Sequence, residues 1–137
     1  NSPNKEGKLW NYITQINAAT ASRNLYSTVN SDLINSYAWD TAITFIQKCT
    51  DKTNYANQNS LNTSLSQTGT TNDNPCNIFD MASNVLEWTT ETSSLSGYPS
   101  VFRGGDCESS GFCTSGRNYN ATSLSINDLG FRPLLYL

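Results

Sequence analysis

The chain has 137 residues, with 8 Lys and Arg against 11 Asp and Glu, a net charge of −3 and no histidine. That length fits one domain around one core, and the charge offers no basic cluster for a nucleic-acid backbone. Only 36% of residues are hydrophobic but 11% are aromatic, which excludes a disordered chain.

Asn, Ser and Thr supply 18, 18 and 16 residues. A surface so rich in small uncharged polar groups is usual in extracellular or virion proteins and in binding surfaces. A secreted, cell-surface or virion location is therefore expected. No stretch approaches 18 consecutive apolar residues, so no helix here is expected to span a membrane. The sequence opens on Asn1 without Met, and it is expected to be the C-terminal part of a longer protein.

Residues 1–9 are polar and turn-rich. Trp10, Tyr12 and Ile13 alternate as in a short strand, and Thr14 can cap a helix over 15–28 that buries Ile16, Ala19, Leu25 and Tyr26. Residues 31–35 read as a connector held to the core by Leu33 and Ile34. Ser36 is the predicted cap of a second helix over 37–49, with Trp39, Ala42, Ile43, Ile46 and Cys49 as its apolar stripe. Asp40 suits the first turn of that helix.

Residues 50–75 are almost entirely Asn, Ser, Thr, Gln and Gly, a long loop held by Tyr55, Leu61 and Leu65. The densest apolar stretch follows at 77–88, where Ile78, Phe79, Met81, Val85, Leu86 and Trp88 enclose two acids, Asp80 and Glu87. Ala82, Ser83 and Asn84 interrupt it, so two short apolar pieces are expected to meet at a tight turn. A carboxylate in such a place needs its charge satisfied. Two readings do this. In one, the carboxylates and exposed carbonyls form an all-oxygen cage for a hard cation such as Ca²⁺. In the other, backbone N–H groups and arginines satisfy the acids.

Residues 89–99 form a further polar loop, 100–103 a strand, and Gly104-Gly105 a sharp turn. Residues 106–128 show little periodicity and much Ser, Asn, Gly, Cys and Tyr, while 129–137 form a closing apolar strand. The four cysteines, Cys49, Cys76, Cys107 and Cys113, lack the spacing of a zinc site. They are either disulfides, with Cys107–Cys113 the favoured pair and Cys49–Cys76 the remainder, or buried thiols.

Three motifs resemble one family. Phe79-Asp80-Met81-Ala82-Ser83-Asn84-Val85-Leu86-Glu87-Trp88 is similar to the L-Y-D-M-x-G-N-V-W-E-W signature of the formylglycine-generating-enzyme (sulfatase-modifying factor) family. Val101-Phe102-Arg103-Gly104-Gly105 resembles its V-x-R-G-G, and Leu129-Gly130-Phe131-Arg132 its L-G-F-R. Arg117 falls where the family carries an arginine, and Trp39-Asp40 looks like the start of its second helix. The resemblance implies an α+β, C-type-lectin-like fold for a single domain over 1–137, with two helices, short antiparallel strands and long loops. It implies Ca²⁺ bound by the side chains of Asp80 and Glu87 and the carbonyls of Ser83 and Val85. Asn57 and Asp73 are the nearest candidates for a further calcium site in the long loop. Arg103 and Arg132 are implied to pair inside the core. In such a fold the last strand would pair with residues 8–13.

The family's founding activity oxidises a substrate cysteine with a reactive cysteine pair. Five residues separate Cys107 from Cys113, and only Asp106 separates Cys107 from Gly105; neither spacing matches that pair. A related branch uses a three-histidine iron centre, which a chain without histidine cannot build. Histidine-based triads are excluded on the same ground. Asp80 and Glu87 could in principle serve glycosidase chemistry, but both match the family's cation site.

The resemblance instead points to non-catalytic members whose variable residues lie between R-G-G and G-F-R and are diversified by a retroelement. The residues that adenine-directed change of Asn codons produces dominate 106–128, and they also make adaptable binding surfaces. The expected contact residues are Asp106, Phe112, Arg117, Asn118, Tyr119 and Asn120, with Leu124 and Ile126 pinning the segment. The expected partner is a protein or glycan on another cell or surface. An undiversified surface or adhesion domain is the alternative, and an oxidase a lesser one.

Overall fold

The structure, a computed structural model, describes residues 9–59, 64–107 and 111–136. Leu61, expected to pin the long loop, lies outside them.

Helix α1 (Gln15–Arg23) starts as predicted, with the Thr14 hydroxyl accepting from Asn17 N at 3.4 Å. It stops five residues before its predicted end, where the Asn24 N–H closes on Thr20 O. Its buried face is not the expected one. Ala18 and Ser22 are buried, whereas Ile16 is 64% exposed. Small side chains let the helix lie close to strand β1 (Asn30–Leu33), where Ser31 Oγ donates to Ser22 O at 2.7 Å. Residues 31–33 are thus part of a strand rather than a connector.

Helix α2 (Ser36–Cys49) is capped by Asn35, not Ser36, through a 2.8 Å bond from Ala38 N to Asn35 Oδ1. Trp39, Ile43 and Ile46 form its buried stripe, and Cys49 is exposed.

Strands β2 (Leu86–Thr92), β3 (Ser100–Arg103), β4 (Arg117–Asn120) and β5 (Leu129–Phe131) form a sheet of order β4-β3-β2-β5. Strand β2 runs antiparallel to β3 and parallel to β5, and β3 is antiparallel to β4. Strand β6 (Pro133–Tyr136) leaves this sheet and pairs antiparallel with β1. The predicted closing strand is therefore two strands broken at Arg132, and its partner is β1, not residues 8–13. Of those, 9–13 form no strand; Tyr12 N bonds Ile126 O at 3.1 Å and Trp10 meets Phe131 edge-on.

Two buried clusters make the core, each around one indole. Trp88 packs with Ile13, Ala18, Leu33, Leu86, Phe102 and Leu129; Trp39 packs with Ile34, Ile43, Ile46, Tyr55, Met81 and Ala82. Both indole N–H groups donate to carbonyls of irregular segments, Trp88 to Ile13 O at 2.9 Å and Trp39 to Thr114 O at 2.8 Å. Each thus buries a large apolar area and fixes a loop with its polar tip. The architecture is α+β, two helices with small mixed sheets, of the C-type-lectin-like type.

Candidate functional site

The 77–88 segment does fold back at a tight turn. Asp80 and Asn84 adopt left-handed backbone angles, φ 63° and 68°, and every residue from 80 to 89 is buried. Of the four buried carboxylates among the described residues, Asp73, Asp80 and Glu87 lie on or against it, and Asp106 is buried just beyond the adjoining Gly104-Gly105 turn. Asp73 accepts from Tyr55 Oη at 2.7 Å and from Ala82 N at 2.6 Å. Asp80 accepts from Gly69 N at 2.9 Å and from the Thr71 hydroxyl. Glu87 receives Arg132 Nε on one oxygen and Nη2 on the other, both at 2.9 Å, and Nη2 also donates to Phe79 O at 2.6 Å.

Burial pushes the Glu87 carboxyl above its ordinary value against the pull of Arg132. The Arg132 guanidinium is held charged, the Glu87 carboxylate outweighing the cost of burial. Beside Asp73, burial drives the Tyr55 phenol well above its usual value.

The expected cation ligands therefore lie on one turn, and their carboxylates are already engaged by protein donors. All six carboxylate oxygens of Asp73, Asp80 and Glu87 carry a protein donor, and the described residues contain no group of three acids, cysteines or histidines arranged to hold a metal. Asp73 comes to this cluster, while Asn57 is exposed in the long loop and bonds Asn54.

The Gly104-Gly105 turn runs against the same segment. A Cβ on Gly105 would sit 2.4 Å from Ala82 O, and Gly104 has φ +99° against Met81 O and Trp39. This contact draws the following residues inward. Asp106 is only 1% exposed, so it lies beneath the surface where a contact residue was expected. Cys107 is buried too, its N–H donating to Asn84 O at 3.1 Å. The expected Cys107–Cys113 disulfide does not form, and the described residues contain no disulfide. The turn in which Gly116 N bonds Cys113 O places the Cys113 sulfur 3.7 Å from Ser115 Oγ.

Residues 117–120, read in the sequence as loop, form the edge strand β4. Arg117 and Tyr119 alternate outward, while Asn118 and Asn120 are half-buried. Phe112 is turned inward, packing edge-on against Phe102 with ring centroids 6.3 Å apart. Leu124 and Ile126 pack on the same cluster, as expected.

A charged network ties β4 to α2. Arg103, with a fully buried side chain, donates to Asp40 Oδ1 at 2.6 Å, Gly116 O at 2.8 Å and Ser115 O at 3.1 Å. Arg117 donates to Asp40 Oδ2 at 2.9 Å and to both Glu91 oxygens at 3.2 Å, and the Ser36 hydroxyl also donates to Glu91. Burial raises the Asp40 carboxyl, but Arg103 and Arg117 outweigh it and hold the pKa below the ordinary value.

Next to this network lies an open groove of about 430 Å³, lined among others by Ser36, Tyr37, Asp40, Glu91, Thr92 and Arg117. Tyr37 is 88% exposed and also borders a second groove with Phe45 and Lys48 along α2. Neither the α2 groove nor Glu91 was singled out from the sequence. The spacing of Tyr37, Thr41, Thr44, Phe45 and Lys48 along one helix face was the available signal.

The sequence matches the sulfatase-modifying factor enzyme 1-like domain over residues 9–135. The fold is similar to the crystal structure of CarF, with a TM-score of 0.71 at 14% identity, covering 96% of this chain and 69% of that one. It is also similar to Treponema denticola variable protein 1, with a TM-score of 0.58 at 21% identity, covering 88% of this chain. The match spans only 54% of that protein. No functionally curated protein matches the chain in sequence. Since the domain match takes in both helices and all but the last residue of the final strand, the chain belongs to the sulfatase-modifying factor enzyme 1-like family.

Proposed function

We propose that the domain is a non-catalytic recognition module of a secreted, cell-surface or virion protein. Its binding face comprises β4 and the adjoining groove on α2, and the 106–128 segment is diversified by a retroelement. One observation carries this reading. Tyr119 projects from an edge strand whose position is set by Arg103, Arg117 and Asp40, with Trp39 holding Thr114 just ahead of it. Outward side chains can change there while the support stays.

Tyrosine and arginine concentrate binding energy in interfaces, and small polar neighbours adapt their hydrogen bonds. Asp40 and Glu91 are already paired with arginines. The groove therefore suits a largely neutral, polar surface of a protein or glycan. One structural relative is a variable protein, which accords with this reading.

Two measurements test it. In many copies of the gene, substitutions should concentrate in codons 106–128, beside a near-repeat of that end and a reverse transcriptase gene. A locus lacking these would leave an undiversified adhesion domain. In glycan and cell-envelope arrays probed with the labelled domain, Tyr37→Ala with Tyr119→Ala should abolish the signals of the wild type. Signals that survive this change but disappear on altering 64–72 would move the binding face to the other long loop. Oxidation of a cysteine-containing peptide by the purified domain would overturn the non-catalytic reading outright.

A further inference from the structure

We propose that the Arg132 guanidinium takes the place of a metal ion at the 77–88 turn, so that this chain holds the turn with an internal cation and is stable without calcium. The turn has to join an inward-facing carboxylate, Glu87, to main-chain oxygens of its own first half. Arg132 does this with one planar group: Nε and Nη2 meet the two Glu87 oxygens at 2.9 Å, and Nη2 meets Phe79 O at 2.6 Å. A bidentate guanidinium–carboxylate pair is among the strongest and most directional contacts a protein makes.

The surroundings suit that cation better than calcium, which takes about six to eight oxygens in a flexible shell. Arg132 lies over the Trp39 ring, 5.9 Å from its centroid, and an aromatic face favours a weakly hydrated guanidinium. The other two acids are likewise engaged by protein donors. Asp73 is held by Tyr55 and Ala82, and Asp80 by Gly69 and Thr71. Arg132 also stands between β5 and β6, so the same side chain fixes the point where the chain passes from one sheet to the other.

The test is thermal unfolding of the wild-type domain in excess EGTA and in millimolar calcium, followed by circular dichroism and tryptophan fluorescence. The metal content of the protein purified from calcium-containing medium is measured alongside. The two melting temperatures should coincide, and less than one equivalent of calcium should co-purify. Arg132→Ser should melt roughly 10 °C lower or more, because it leaves Glu87 buried and unpaired. Arg132→Lys, which keeps the charge but not the fork, should fall between them. A wild type that melts lower in EGTA, or that retains one equivalent of calcium, overturns the proposal. So does an Arg132→Ser variant as stable as the wild type. The wild-type measurements decide the matter even where the serine variant fails to fold.

Discussion

Arg103 and Arg117 stand directly opposite each other on β3 and β4, and one carboxylate, that of Asp40, bonds both, at 2.6 and 2.9 Å. Two like charges so placed would repel. Asp40, reaching over from α2, turns the repulsion into a clamp between helix and sheet. The two arginines differ in burial, and so should their substitutions. Arg103→Lys cannot span Asp40, Gly116 O and Ser115 O, and each carbonyl left unpaired is expected to cost about 1–3 kcal/mol. Arg117→Lys, on the surface, should cost about 0–1 kcal/mol. Urea denaturation of the two variants checks this, and equal losses would contradict the difference in burial.

The same clamp sets an acid limit. With its folded pKa below the unfolded value of 3.8, Asp40 contributes stability that is present above about pH 4 and lost as pH falls through the folded value. Arg103, Arg117 and, through Arg117, Glu91 are the charges facing it. In melting curves between pH 2 and 6, Asp40→Asn should flatten this acid limb while lowering stability near neutrality. An unchanged acid limb would place the sensitivity elsewhere.

Gly105→Ala should be among the most damaging single-atom additions in the chain. The new methyl meets the Ala82 carbonyl at 2.4 Å, and that backbone belongs to the buried turn and has nowhere to retreat. A loss of about 1–3 kcal/mol is expected, with the clash at the upper end. Chemical denaturation measures it, and a neutral result would mean the two segments separate easily.

Surface changes should behave in the opposite way. Tyr37→Ala and Tyr119→Ala remove exposed rings, and each should leave stability within about 0.5 kcal/mol of the wild type. Melting curves establish this, and it is the condition for reading their binding defects as recognition. A large loss would make either tyrosine a packing residue.

Much of this arrangement could be read from the residues. The acids of the 77–88 stretch, the strand at 100–103 and the paired glycines all combine unusual chemistry with a local pattern, whereas the pairing of Arg103 was implied by the family resemblance. Strands β1 and β4 could not be read that way. Asn30-Ser31-Asp32-Leu33 has one apolar residue, and its strand partner is β6, far away in sequence. Arg117-Asn118-Tyr119-Asn120 has no apolar alternation because its exposed side chains face outward from an edge. The break at Arg132 had a signal in Arg132-Pro133, a charge and a proline within an apolar run, but its partner Glu87 lies 45 residues away. The burial of Asp106 and the half-burial of Phe112 follow from the Gly105–Ala82 approach and the Phe102 ring, which no local pattern shows.

The pairing of β1 with β6 joins Asn30 to Tyr136, the most distant partners in any strand pair of the fold. Such a contact carries a large loop-closure cost and is expected to form late, after the four-stranded sheet has organised around Trp88. Leu134→Ala, which trims a half-buried side chain of β6, should therefore accelerate unfolding and leave the refolding rate nearly unchanged. Stopped-flow measurement of both limbs decides this, since slower refolding would put the strand pair in the folding nucleus. On this account the small sheet governs how long the domain stays folded once it has formed.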